Sequence, residues 1–203
     1  MEITKKVTRG GGLLEGLLAK LRCMKANQLM RDSQRAGTLL DIGCGTYPFF
    51  LMNTKFSRKI GMDRVFSEET AQSCAEAGVT LVRYDVESHD PLPFDASSMD
   101  VVTLLAVFEH LDETEKVLVT SECRRVLRPG GYLILTTPAW WTALILAFLA
   151  RMGFVSREEL EEHRELSKPS DISRILAESG FEQNKIELGT FELGLNQWAR
   201  ASV

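Results

Sequence analysis

The sequence predicts an α/β fold: a mostly parallel sheet with flanking helices, closed by a terminal antiparallel hairpin. Three observations predict it. Short apolar runs alternate with helix-like stretches through the middle of the chain. The first of these runs ends directly in Gly43-Cys44-Gly45. The last two are separated only by Gly189-Thr190. Strands alternating with helices at this pace imply βαβ units and a parallel sheet, whereas a two-residue connection joins strands that run antiparallel.

Leu13, Leu14, Leu17, Leu18, Leu21 and Met24 fall at helical spacing and predict an N-terminal amphipathic helix. Residues 38–42 read as a buried strand. From Phe49 the chain reads as helical, with Pro48 at the first turn, where a missing N–H costs nothing. Residues 59–63 form a second strand ending on Asp63. A helix begins at Ser67 and stops at Gly78, and residues 80–84 form a third strand ending at Asp85. Pro91 and Pro93 mark a loop. Residues 100–107 are a strongly apolar fourth strand. Val119, Cys123, Val126 and Leu127 then form the buried stripe of a helix that Pro129-Gly130-Gly131 is expected to terminate. Residues 132–136 are the fifth strand. Residues 168–179 read as a helix ending at Gly180, and residues 183–188 and 191–199 as the two arms of the hairpin.

The organisation expected is a helical extension over residues 1–36 and one domain over 37–203, with an insert at about 139–168. The stretch 139–150 is nearly all apolar and opens with Trp140-Trp141. As a helix of a dozen residues it rises roughly 18 Å, short of a bilayer core of roughly 30 Å. A buried core helix or dimer contact, an apolar lid over a substrate, and peripheral membrane docking are its three readings.

The 203 residues carry a formal charge of −4, with an isoelectric point near 5.5. That argues against a nucleic-acid backbone as partner, although the first 36 residues lean basic. Cys23, Cys44, Cys74 and Cys123 are scattered, with no metal-ligand spacing. Reduced thiols and a cytoplasmic location are expected, and no metal. Glu15 and Lys20 break the early apolar run, so no secretion signal is read.

Three successive strand ends carry groups suited to a ligand. A glycine turn lets backbone approach a ligand closely. Asp63 is a charged acceptor able to take hydrogen bonds from a ribose diol. Asp85, or the backbone beside it, can take an exocyclic amine. A dinucleotide fingerprint needs a third glycine at position 48, which is Pro48 here.

Asp41-Ile42-Gly43-Cys44-Gly45-Thr46, the acid Asp63, Leu92-Pro93-Phe94 ahead of Met99-Asp100-Val101-Val102, Phe108-Glu109-His110-Leu111 and Arg125-Val126-Leu127-Arg128-Pro129-Gly130-Gly131 occur in order. Together they resemble the class I S-adenosylmethionine-dependent methyltransferases, a Rossmann-like family, and within it the branch that includes quinone and sterol methylating enzymes. The resemblance covers residues 38–138 and, weakly, the helix at 170–181. It implies S-adenosylmethionine as cofactor. Asp41, Gly43 and Gly45 would line its methionine end, with Cys44 and Tyr47 in the same turn. Asp63 with Arg64 would hold the ribose, Asp85 with Val86 the adenine, and Ala106 would offer backbone to the amino acid portion. Tyr47-Pro48 departs from the usual small residue, and the segment 86–90 is longer than the family norm.

A base is needed only where the acceptor must lose a proton. His110, beyond the fourth strand, and His163 are the catalytic candidates. The alternatives are loop orientation or cofactor contact for His110, and a solvated charged face for His163. The acceptor expected is a small or lipid-like molecule. The alternatives are RNA or protein as acceptor, or a non-catalytic module that binds the cofactor. Ala106-Val107-Phe108-Glu109 stands where nucleic-acid amine methylases of this fold often carry an Asn/Asp-Pro-Pro-Tyr/Phe tetrapeptide, which disfavours base methylation.

Overall fold

The computed structural model describes residues 13–142 and 166–203. At its centre lies β1 (Thr38–Ile42), buried at all five positions. On one side of it stand β2 (Arg58–Asp63) and β3 (Val79–Arg83), on the other β4 (Met99–Leu105) and β5 (Leu127–Pro138). The sheet continues with β7 (Asn196–Ser202) and ends with β6 (Ile186–Phe191), giving the order β3-β2-β1-β4-β5-β7-β6. The first five strands are parallel, and β7 runs antiparallel to both its neighbours. Because the chain builds outward from β1 first in one direction and then in the other, a crevice opens at the carboxyl ends of β1 and β4, where such sheets bind ligands.

Side chains alternate across each strand, and the alternation splits the core in two. Leu39, Val101, Tyr132 and Ile134 pack with Cys23, Ala26, Phe50, Leu51 and Cys74. That layer belongs to α1 (Leu13–Leu29), α2 (Phe49–Met52) and α3 (Glu68–Glu76). Leu40, Val102, Leu104, Leu133 and Leu135 pack on the opposite face with Val119, Cys123, Ile172, Ile175 and Leu176. These last come from α4 (Glu113–Val126) and α5 (Pro169–Glu178). Helix starts follow local chemistry. Ser67 accepts from the Thr70 amide at the head of α3. Asp112 and Glu115 bond each other's backbone amides at the head of α4, a reciprocal cap.

Two polar clamps hold the loop ahead of β4. Arg125 on α4 donates to the carbonyls of Phe94 and Leu92 at 2.9 and 3.0 Å while paired with Glu122. Glu122 in turn accepts from the Leu92 amide, and the Arg125 hydrogen bond holds its carboxyl below the usual range. Asp100 accepts from the Thr38 amide at 2.7 Å and from Arg128 at 2.9 Å. A Cβ on Gly37 would lie 2.2 Å from the Asp100 carboxylate, so β1 begins hard against this side chain.

Two expectations are corrected. The turn of the terminal hairpin is not Gly189-Thr190, which lies inside β6, but the 3-10 turn Glu192–Gly194. Gly189 is needed because a Cβ there would come within 2.7 Å of the Trp198 indole on β7. Likewise, Pro129-Gly130-Gly131 does not terminate α4: the helix stops at Val126 and β5 starts at Leu127. A Cβ on Gly131 would lie 2.8 Å from the Asp100 carbonyl, so this glycine permits a close approach of β4 and β5. His163 and residues 143–150 of the apolar stretch lie outside the described residues.

Asp100→Ala should lower stability by about 1.5–3 kcal/mol, the usual loss when hydrogen bonds involving a charged group are removed. Urea denaturation measures it; an unchanged midpoint would mean the clamp carries no stability.

Candidate functional site

The chain leaves β1 through two glycines in the left-handed region, Gly43 at φ 73° and Gly45 at φ 78°, a conformation that costs glycine nothing. The amides of Gly43 and Cys44 both donate to the Met62 carbonyl, at 2.8 and 3.0 Å, which ties the turn to the end of β2. Val107 fills the space that a side chain on Gly43 would need: a Cβ there would stand 2.4 Å from Val107 Cγ2.

Asp63 closes the same corner. One carboxylate oxygen accepts from the Gly45 amide at 2.8 Å and the other from the Val65 amide at 3.0 Å. Each oxygen retains a second lone pair for an incoming hydroxyl. Asp85 follows β3 and accepts from the Glu87 amide. It stands 3.9 Å from the Arg64 guanidinium in a half-exposed pair. Val86 opens the 3-10 turn Val86–Ser88, which absorbs the extra length of this segment. Ala106 follows β4 with φ 58°, donating its amide to the Thr136 carbonyl. A non-glycine residue in that region carries strain, here at the lip of the crevice.

Asp41 is largely enclosed by the sheet. Only 3% exposed, it accepts from the Thr103 hydroxyl at 2.6 Å across the β1–β4 pair. Burial pushes its carboxyl up to about 7, with the Asp63 charge adding to the rise and the Thr103 hydrogen bond opposing it. Burial also pushes the Cys44 thiol up, reinforced by Asp41 and Asp63, so this cysteine is not poised as a thiolate nucleophile. Tyr47 is half-buried in the turn, its carbonyl accepting from Phe49.

Asp41, Gly43, Cys44, Gly45, Tyr47 and Asp63 thus share one corner. Ala106 joins them through Val107, and Arg64, Asp85 and Val86 lie along the next strand end. His110 is exposed at the end of the 3-10 turn Phe108–His110.

The residue before it was not singled out by sequence. Glu109 is only 3% exposed. Its Oε2 has no hydrogen-bond partner among the described residues, and neither do the buried hydroxyls of Thr136 and Thr137 at the end of β5. A glutamate next to a histidine after an apolar strand was the available signal; its burial was not readable.

Residues 40–135 match the family model described as a methyltransferase domain. A Mycolicibacterium smegmatis protein named as a probable S-adenosylmethionine-dependent methyltransferase is 38% identical over 104 residues, which span 49% of this chain and 37% of that one. This chain therefore matches about a third of the length of that relative. A Thermotoga maritima structure titled as a SAM-dependent methyltransferase, possible histamine N-methyltransferase, superposes with a TM-score of 0.69 at 18% identity, covering 94% of this chain and 91% of that one. A SAM-dependent methyltransferase from Archaeoglobus fulgidus gives 0.63 at 19% identity, covering 95% of both chains. Residues 40–135 are thus similar in sequence to a methyltransferase domain, and the chain shares its fold with S-adenosylmethionine-dependent methyltransferases.

Asp41 makes stability depend on pH. Its folded value of about 7 lies above the roughly 3.9 of an unfolded aspartate. Its contribution is therefore fully present below pH ~4 and is lost as pH rises through about 7. Asp41→Asn should match the parent near pH 4 and exceed it above pH 7, by up to about 4 kcal/mol. Denaturant midpoints across pH test this; equal slopes for the two proteins would refute it.

Proposed function

We propose that the chain binds S-adenosylmethionine along the ends of β1, β2 and β3 and transfers its methyl group to a small, lipid-like acceptor beyond β4 and β5. The observation that carries the reading is the joint built by Gly43, Gly45 and Asp63. Two left-handed glycines leave room for a ligand to approach the backbone, and an acid held by two amides stands beside them.

The donor set fits the cofactor. Gly43, Gly45 and Tyr47 would border its methionine portion, with the backbone of Ala106 opposite. Asp63 would accept from the ribose hydroxyls, and Asp85 with Val86 would meet the adenine. When bound, S-adenosylmethionine supplies a methyl group already activated on a sulfonium. The chain's contribution is then to orient the acceptor and exclude water, and orientation of this kind is worth about 7–11 kcal/mol of barrier.

An apolar rim supports a lipid-like acceptor. Trp140, Leu193 and Leu195 are exposed, and the Ala139 amide donates to the Leu195 carbonyl, so the hairpin tip is tied to the exit of β5. The four cysteines, none of them in a disulfide, favour a reducing cytosol.

Calorimetry with S-adenosylmethionine and S-adenosylhomocysteine tests the reading. Both should bind. Asp63→Ala should weaken both by about tenfold or more, the loss of a charged hydrogen-bond acceptor. Gly43→Val should abolish binding, through the clash with Val107. No binding of either compound to the parent protein would sink the proposal.

A further inference from the structure

The cofactor half of the crevice leaves one group of polar atoms unused. Glu109 follows Val107, which packs on the glycine turn, in the 3-10 turn Phe108–His110, and interacts with Thr137 at the end of β5. It is 3% exposed and its Oε2 is without a partner among the described residues. The Thr137 hydroxyl favours its charged form without making a well-aligned hydrogen bond. The neighbouring Thr136 hydroxyl is buried and unpaired as well.

A second carboxyl with an unmet atom lies on the hairpin. Glu192 precedes β7, whose first residue, Asn196, is paired with Pro138 at the exit of β5. One Glu192 oxygen accepts from the Asn196 side-chain amide. The other, Oε1, is buried with no partner among the described residues. Arg22 on α1 pulls on both carboxyls electrostatically, but forms an ion pair with neither among the described residues.

Glu109 with Thr137 beside it, and Glu192 on the hairpin that pairs with that strand end, therefore present unmet acceptor atoms near the exit of β5, while Thr136 points to the other face of the sheet. Leaving such atoms buried and unpaired is costly, and native proteins keep them where a ligand completes them. An anionic head group would add repulsion; a group with N–H donors would satisfy the free carboxylate oxygens.

We propose that this cluster seats an amine as the methyl acceptor, with Glu109 holding its N–H and taking its proton, and Glu192 holding a second N–H. This rests on the cofactor reading above. An ammonium R–NH3+ passes one proton to the Glu109 carboxylate, giving R–NH2 and a neutral Glu109. The nitrogen lone pair then forms the N–CH3 bond while the sulfonium S–CH3 bond breaks with its electrons staying on sulfur. The products are R–NH2+–CH3 and S-adenosylhomocysteine. Burial raises the Glu109 carboxyl, opposed by its backbone hydrogen bond, His110, Thr137 and Arg22, and so makes it a stronger proton acceptor than a surface glutamate. The apolar rim at Trp140, Leu193 and Leu195 suits a hydrocarbon tail on that amine.

The test uses the full chain saturated with S-adenosylhomocysteine. Butylamine, phenethylamine and dodecylamine are titrated by calorimetry, beside the matching alcohols. At least one amine should bind, and bind about tenfold or more tightly than its alcohol. Glu109→Gln should lose about tenfold in amine affinity while S-adenosylhomocysteine affinity stays within about threefold. Glu192→Gln, at a less buried position, should weaken the amine and spare the cofactor in the same way. With S-adenosylmethionine, Glu109→Gln should also depress kcat for amine methylation. If the cofactor binds but no amine does, or if amines bind both variants as tightly as the parent, this inference is overturned and the cofactor reading stands. If the cofactor itself fails to bind, both fall.

Discussion

The contact between Gly43 and Val107 is the constraint on which the site depends. A β-carbon on Gly43 would overlap the Val107 side chain, so the turn after β1 and the loop after β4 can close together only through a bare backbone. That closeness aligns the two halves of the crevice. On one side the turn hands the Gly45 amide to Asp63. On the other, Ala106 adopts a strained left-handed conformation, and three residues later Glu109 is carried into the interior. The strain is held in place by the hydrogen bond from the Ala106 amide to the carbonyl of Thr136, whose own hydroxyl is buried without a partner among the described residues.

Much of the fold was legible because its signals are local. β1, α3 and α5 begin and end within a residue or two of where apolar runs, caps and glycines place them. What misled were glycines whose purpose is tertiary. Gly189 resembles a hairpin turn in sequence but exists to admit the Trp198 indole, and Gly131 resembles a helix stop but lets β4 approach β5. A sequence shows that a residue lacks a side chain, not which neighbour claims the vacated space.

The same division runs through the site. The place of Asp63 was legible because an acid closes the apolar run of β2, and the structure sets it there between two backbone amides. Asp41 was nominated for the cofactor, and one of its oxygens accepts from Thr103 across the sheet; position along the motif does not reveal which way a carboxyl turns. His110 drew attention as a titratable side chain, while Glu109, the buried member of the pair, passed as a motif letter. Arg125 and Arg128 likewise belong to the family resemblance, yet their work here is to fasten the loop at residues 92–94 and the start of β4.

Helix α1 has its anchors at the opposite end of the chain. Arg200 on β7 donates to the Leu29 carbonyl, the Tyr132 hydroxyl accepts from the Arg31 amide, and Lys25 lies over the Trp198 ring. During synthesis this helix emerges well before the strand that receives it. Contacts of such long sequence separation form late, since their loop-closure cost comes before their reward. Arg22 on the same helix reaches the carboxyls of Glu109 and Glu192 only after β7 has completed the sheet. The electrostatic surroundings of these two acids thus depend on a junction between the two ends of the chain.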